Sequence, residues 1–328
     1  MAVYTHLASE DLAALIAAYD VGELISAKGI AEGVSNSNWL IETNGKDGAG
    51  TGGGGARFIL TMYEKRTDAD ELPFFLGLLD HLAGRGCAVP ATIHDRDGAA
   101  FRTLDGKALA LIEYLPGISP DTPTRAQANA VGAALAQVHM AAADCDRTRA
   151  NDLDVGACAA ILDRCGETRL ARIDPELPQW LPAARELAAR WPQDLPRSII
   201  HSDLFPDNVL MLGERVTGLI DFYFACEDMM AYDLAIAHAA WCFDRSGTKF
   251  AADVGQALVA GYESVRPLER SEREALPLLA QGACLRFTAS RAQDWLDTPP
   301  DALVTRKDPM DFTRRWKYYA EHRNRVFA

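Results

Sequence analysis

The chain has 328 residues, 48% hydrophobic and 24% charged, with a formal net charge of −13. That length suits one large or two ordinary domains with a full core, and the acidic excess argues against nucleic acid and anionic membranes, which select basic faces. No apolar run reaches the roughly 18 residues that a membrane span takes, the first residues lack a signal-peptide pattern, and the seven cysteines form no C-x-x-C pair, so a reduced, cytoplasmic protein is expected.

Ser9 is placed to cap a first helix with Glu10 and Asp11 in its opening turn and an apolar face of Leu12, Leu15, Ile16 and Tyr19. Residues 24 to 43 and 57 to 63 then read as strands. Between them lies GKDGAGTGGGG, residues 45 to 55, which matches G-x-G-x-x-G twice. A dinucleotide fingerprint needs a strand before it and a helix after it. Here the strand Phe58-Ile59-Leu60 comes next, so the stretch reads as a hairpin connection. A better phosphate-loop candidate is KGIAEGVSNSNWLIE, where a turn containing Gly29, Gly33, Ser35, Asn36 and Ser37 can lay backbone N–H groups over phosphates.

Pro73 opens a helix that ends at Gly84 or Gly86, and ALALIEYL, 108 to 115, is a strand closed by Pro116-Gly117. Thr124 starts an alanine-rich helix, and most of the chain beyond it is helical apart from a β-type interlude at 198 to 224. Residues 1–115 are thus strand-rich and 116–328 helix-rich, an α+β order with two domains, and Pro116-Gly117 is a natural hinge.

The interlude carries SIIHSDLFPDNVLMLGERVTGLIDFYFA. Two strands turn at Gly213-Glu214, with Asn208 entering the first and Asp221 leaving the second. Antiparallel pairing brings those two oxygen donors together, which suits Mg²⁺. Asp203, five residues before Asn208, is placed to orient a hydroxyl and accept its proton late in a loose phosphoryl-transfer transition state, for which an ordinary carboxylate pKa suffices. His201 ties the loop backbone together, Asp207 is solvated, and Asp233 in MAYDLA anchors a loop or caps a helix.

The spacing H-x-D-x-x-x-x-N, with an apolar hairpin and IDFYFA after it, resembles the kinase-like phosphotransferases, the superfamily of aminoglycoside phosphotransferases, choline kinases and protein kinases. Longer segments (IAEGVSNSNWLIET, FILTMYEKR, LPFFLGLLDHL, GLIDFYFACEDMMAYDLA, AWCFD and the late LRF…DWL…KDP) extend the resemblance over nearly the whole chain to the bacterial homoserine kinases of this fold. The glycine-rich insertion is the main departure.

The resemblance implies a protein-kinase-like two-lobe fold, an N-terminal antiparallel sheet lobe and a larger helical lobe. It implies ATP and Mg²⁺, with L-homoserine as phosphoryl acceptor. Asp203 is then the base, while Asn208 and Asp221 hold the metal. The Gly29 to Asn38 turn covers the phosphates, and Glu113, Tyr114 and Leu115 carry the adenine through backbone groups. Lys65 is the one strand-end lysine available for the α- and β-phosphates, with Glu71 as its possible partner.

For an amino-acid acceptor, Arg286, Ser290 and Asp294 share one helix face at i, i+4 and i+8; intrahelical charge pairing is the alternative account of them. Trp241 and Trp295 read as core. The same fold also serves amino alcohols, sugars and aminoglycosides as acceptors. A non-catalytic nucleotide-binding module is disfavoured, because Asp203, Asn208 and Asp221 are all present.

Overall fold

The computed structural model describes residues 7–30, 36–45, 55–64, 69–299 and 306–327. The chain divides into two compact units, Met1–Pro116 and Gly117–Ala328. Among the described residues no helix is long and apolar enough to cross a membrane.

The first unit holds α1 (Ser9–Ile16), β1 (Leu24–Ile30), β2 (Ser37–Thr43), β3 (Ala56–Met62), α2 (Leu72–Gly84), β4 (Thr92–Ile93), β5 (Arg102–Leu104) and β6 (Lys107–Glu113). Its antiparallel sheet runs β1-β2-β3-β6-β4, with β5 also on β6. Strand β2 alternates strictly, burying Ser37, Trp39, Ile41 and Thr43, as a half-covered strand must. Trp39 and Ile41 join Leu12, Leu15 and Ile16 of α1 and Leu60, Leu109 and Leu111 in one apolar core. Thr92 of β4 ties α2 to the sheet, its hydroxyl donating to the Leu76 carbonyl at 3.2 Å and its N–H to Asp80 at 3.1 Å. The glycine stretch joins two paired strands, since Thr43 faces Ala56 and the Ala56 N–H donates to the Gly45 carbonyl at 3.2 Å. Residues 46 to 54 themselves lie outside the described residues.

The Ser9 cap is corrected. Ala8 occupies the cap position with extended backbone and no side-chain bond, and its carbonyl accepts the Leu12 N–H. Ser9 is the first helical residue, and Glu10 and Asp11 complement the positive end of the helix dipole in place of a capping hydroxyl. Thr124, by contrast, closes a reciprocal capping box with Gln127.

The second unit holds α3 (Arg125–Ala141), α4 (Val155–Cys165), α5 (Glu167–Leu170), α6 (Leu181–Ala189), β7 (Arg197–Ile200), β8 (Val209–Leu212), β9 (Arg215–Leu219), β10 (Cys226–Met229), α7 (Met230–Trp241), α8 (Ala252–Val265), α9 (Arg270–Asp297) and α10 (Met310–His322). Helix α7 is buried on all sides from Ala231 to Trp241, so its sequence is apolar all round instead of striped. Helices α3 and α8 cross at van der Waals contact: a Cβ on Gly132 would meet the Leu258 carbonyl at 2.0 Å, and one on Gly261 the Asn129 carbonyl at 1.9 Å. Strands β7 and β10 pair antiparallel, as do β8 and β9. The loop between β7 and β8 is therefore held by two ribbons.

Candidate active site

The β8–β9 hairpin turns at Gly213, whose φ is 65°, a left-handed value that suits glycine. At its open end the Ile220 N–H donates to the Asn208 carbonyl at 3.0 Å. The ribbon thus delivers Asn208 and Asp221 at the same end. The Asn208 amide nitrogen donates to the Asp203 carbonyl at 2.8 Å and faces the Asp203 carboxylate at 3.4 Å. Because both partners are acceptors, the amide orientation is fixed and its oxygen stays available for a cation.

Asp221 sits in the left-handed region at φ 67°, and Ser202 at φ 66°. Such backbone in non-glycine residues costs about 1–3 kcal/mol each and persists where surrounding contacts over-determine it. Those contacts are identifiable at Ser202. The Asp233 carboxylate accepts the N–H of His201 at 2.7 Å and of Ser202 at 2.8 Å. His139 on α3 pairs with the same carboxylate at 3.0 Å and takes a 2.8 Å bond from the Tyr262 hydroxyl of α8. Burial works against the Asp233 charge, but these bonds outweigh it and hold its carboxyl below the usual range.

His201 is wholly buried. Its Nε2 donates to the Ile220 carbonyl at 2.9 Å and its Nδ1 accepts the Asp203 N–H at 3.2 Å. Burial lowers its pKa, so it stays neutral and binds the loop to the end of β9. Trp241 is core, as expected, and also holds the loop, its indole N–H donating to the Leu204 carbonyl at 3.0 Å.

An ordinary carboxylate pKa would suffice for the role, but the Asp203 carboxyl does not keep one. Desolvation first, and Asp221 second, push it up to about 7, while Arg286 and Lys307 oppose the shift. Asp221 is pushed up to about 6 by desolvation and by Asp207, again opposed by Lys307. Asp221 nevertheless remains exposed to solvent. These mutually repelling carboxylates and the free Asn208 amide oxygen fit a hard divalent cation, which would relieve the repulsion. Among the described residues no group of three or more His, Cys, Asp or Glu side chains forms a metal cage. Two protein oxygens suit a cation that completes its shell with water and phosphate.

The sequence pattern of the phosphotransferase enzyme family matches residues 26–268. The chain belongs to that family. A homoserine kinase of Gluconacetobacter diazotrophicus is 47% identical over 333 residues, covering 99% of this chain and 98% of the relative. One from Azorhizobium caulinodans is 46% identical over 322 residues, 97% of this chain and 96% of the relative. Among solved structures, spectinomycin phosphotransferase APH(9)-Ia with ADP and spectinomycin superposes with a TM-score of 0.66 at 14% identity, covering 98% and 97% of the two chains. Amicoumacin kinase hAmiN, in complex with AMP-PNP and Ca²⁺, gives 0.66 at 12%, covering 98% and 95%. The α+β, protein-kinase-like fold is therefore shared with phosphotransferases of widely divergent sequence.

The other predicted site residues of this phosphotransferase are spread over both units. In the first, Gly29 lies in β1 opposite Trp39. Asn36 accepts the Glu64 N–H at 3.4 Å, and the Ser37 hydroxyl donates at 2.8 Å to the Glu64 carboxylate, which Lys107 also grips at 2.6 Å. Gly33, Ser35 and Lys65 lie outside the described residues. Glu71 immediately precedes α2. Glu113 ends β6, with its carboxylate accepting the Ala91 N–H at 3.1 Å, and Arg57 lies 4.5 Å over the Tyr114 ring. Leu115 comes next, half-buried.

In the second unit the helix expected at 285 to 296 is part of the much longer α9. Arg286 is 2% exposed and donates to the Leu153 carbonyl at 3.1 Å and to Asn151 at 3.4 Å. Its Nε has no partner among the described residues. Ser290 is half-buried and Asp294 exposed, so this face passes from core to solvent along its length. His139 does not stand out in the sequence, and Lys307 does so only as part of the KDP segment, with no role attached. The signal available for His139 is a polar residue at an apolar position of α3.

Proposed function

We propose that this phosphotransferase moves the γ-phosphoryl group of ATP to the hydroxyl of L-homoserine, giving O-phospho-L-homoserine and ADP. The observation that carries this reading is 46–47% identity to homoserine kinases over nearly the full length of both chains.

Asp203 orients the acceptor hydroxyl and accepts its proton as the new bond forms between that oxygen and the γ-phosphorus. The bond from phosphorus to the β,γ-bridging oxygen breaks, and its electron pair leaves on ADP. Lifted by burial and by Asp221, the Asp203 carboxylate is a stronger base than a free aspartate. Asn208 and Asp221 hold Mg²⁺, which when bound neutralises charge on the β- and γ-phosphates. His201 and Asp233 keep the loop rigid, so that Asp203 need not reorganise during transfer.

On the nucleotide side, Gly29 of β1, Ser37 of β2 and Gly33, Ser35 and Asn36 between them in the chain are assigned to covering the phosphates; Gly29 and Ser37 do so from strands and not from the turn expected for them. Lys65 contacts the α- and β-phosphates, and the backbone of Glu113, Tyr114 and Leu115 receives the adenine. Arg286, with Ser290 and Asp294 on its helix, is the candidate for recognising the charged ends of the amino acid.

A coupled ADP-release assay with homoserine, serine, threonine, choline and an aminoglycoside tests the assignment. Homoserine is expected to give the highest kcat/KM by at least about tenfold, a discrimination that one misplaced polar group suffices to produce. Preference for choline or an aminoglycoside would replace homoserine as the acceptor. ADP release with none of them would remove the kinase reading.

A further inference from the structure

The 201–208 loop brings Asp203 and Asp207 toward Asp221, and it contains no Lys or Arg. A transferring phosphoryl group spreads negative charge over its three equatorial oxygens. Such a group entering among carboxylates calls for a fixed cation supplied from elsewhere in the chain.

Among the described residues, Arg286, Arg291 and Lys307 act on Asp203 electrostatically. Arg286 is buried and donates to Leu153 and Asn151. Arg291 donates to the Asp308 carbonyl at 3.0 Å and to Asp311 at 3.1 Å. Arg291 is thereby engaged in holding structure, and Arg286, whose Nε is still unpartnered among the described residues, is assigned above to the acceptor. Lys307 differs: its side chain is exposed, and its ammonium stands 5.9 Å from the centre of the Phe205 ring, two residues beyond Asp203. It acts on Asp221 as well as on Asp203.

The base of this side chain is fixed on both sides. Before it, Arg306 donates to the Thr298 carbonyl at 2.6 Å and lies 5.5 Å over Trp295. After it, Asp308 receives Arg291 on its carbonyl and the Met310 N–H on its carboxylate at 2.8 Å. The platform is fixed too, because Phe205 packs edge-on against Phe287 at 4.8 Å. A lysine on a four-carbon stem is a mobile point charge. Here the residues on either side of it and the ring beside its ammonium are anchored, and its charge acts on both the base and the second carboxylate.

We propose that Lys307 is a catalytic residue whose ammonium binds an equatorial oxygen of the phosphoryl group in flight. The acceptor oxygen bonds to phosphorus, the phosphorus–ADP bond breaks, and the acceptor proton passes to Asp203. Lys307 takes no part in the proton transfer and contributes charge and hydrogen bonds. The acceptor in this statement rests on the homoserine reading; the role of Lys307 does not, because water can replace the acceptor.

Full-length Lys307→Met and Lys307→Arg test it. Expected for Lys307→Met is a kcat about 10²–10³-fold lower, the usual cost of removing one donor to developing charge, with the homoserine KM nearly unchanged. Acceptor-free ATP hydrolysis falls in the same proportion, and Lys307→Arg recovers part of both rates. A readout apart from turnover is calorimetric binding without metal, where O-phospho-L-homoserine binds about tenfold more weakly to Lys307→Met while L-homoserine binds as before, as loss of one exposed charge contact predicts. A raised homoserine KM with full kcat would assign Lys307 to the acceptor carboxylate and overturn the proposal, as would unchanged hydrolysis. If the wild type ignores homoserine yet its hydrolysis still depends on Lys307, the acceptor reading fails and Lys307 stands.

Discussion

The Asp233 carboxylate accepts the backbone N–H of His201 at 2.7 Å. Its other oxygen takes the N–H of Ser202, and His139 completes the set. One side chain from the start of α7 thus satisfies two buried donors at the point where the loop backbone turns left-handed.

Asp233→Asn keeps the shape but removes the charge and turns one acceptor into a donor facing N–H groups. Breaking a buried, fully bonded charge of this kind costs about 3–5 kcal/mol. Urea unfolding should show a loss of that order, together with a fall in kcat. An unchanged midpoint would mean that the loop is held by other means.

Asp203→Asn should lower kcat by about 10²–10⁴-fold, the usual contribution of a positioned base, while the KM for ATP stays within a few-fold. Wild-type turnover in this variant would remove Asp203 from its assigned role.

Asn208→Ala and Asp221→Ala should each raise the Mg²⁺ concentration needed for half-maximal rate by about 10–100-fold and lower the rate at saturation. Titrating Mg²⁺ at fixed ATP separates the two effects. A variant with the wild-type titration curve has lost no ligand.

Gly132→Ala or Gly261→Ala forces α3 and α8 apart, since either added methyl would sit about 2 Å from a facing carbonyl. Overpacking of this sort costs about 1–3 kcal/mol. Because His139 on α3 and Tyr262 on α8 share a bond, the loop should loosen as well. Faster hydrogen exchange at the His201 and Ser202 amides would report it, and protection equal to wild type would contradict it.

His238 is buried, and desolvation pushes its pKa down to about 3. The unfolded chain, with an imidazole near 6.5, binds that proton first, so the His238 contribution is complete above about pH 6.5 and declines as pH falls toward the folded value. Asp203 and Asp221 act in the opposite direction, since their raised pKa values let the folded chain take up protons first as pH falls below about 7 and 6. The wild-type curve therefore mixes opposing contributions, and a difference isolates the histidine. Stability of the wild type relative to His238→Gln should fall by roughly 2 kcal/mol between pH 6.5 and 5. A difference independent of pH would show that His238 does not resist protonation.

Local chemistry made part of this molecule legible from its residues alone. The strand ending at Thr43, the helix start at Thr124 and the hairpin turn at Gly213 each depend on neighbours a few positions away. So does the arrival of Asn208 and Asp221 at one end of a ribbon, because antiparallel pairing follows from turn position. The cap expected at Ser9 does not form, because a capping hydroxyl is optional when acidic residues already serve the first turn.

Folding in three dimensions decided the rest. His139 meets Asp233 across 94 residues of chain, Trp241 meets the Leu204 carbonyl across 37, and Lys307 stands over Phe205. These meetings depend on how helices pack, and helix packing is set by shape and volume summed over many side chains. The raised pKa of Asp203 has the same origin: desolvation and a neighbouring charge belong to the folded surroundings, and no spacing in the sequence encodes them.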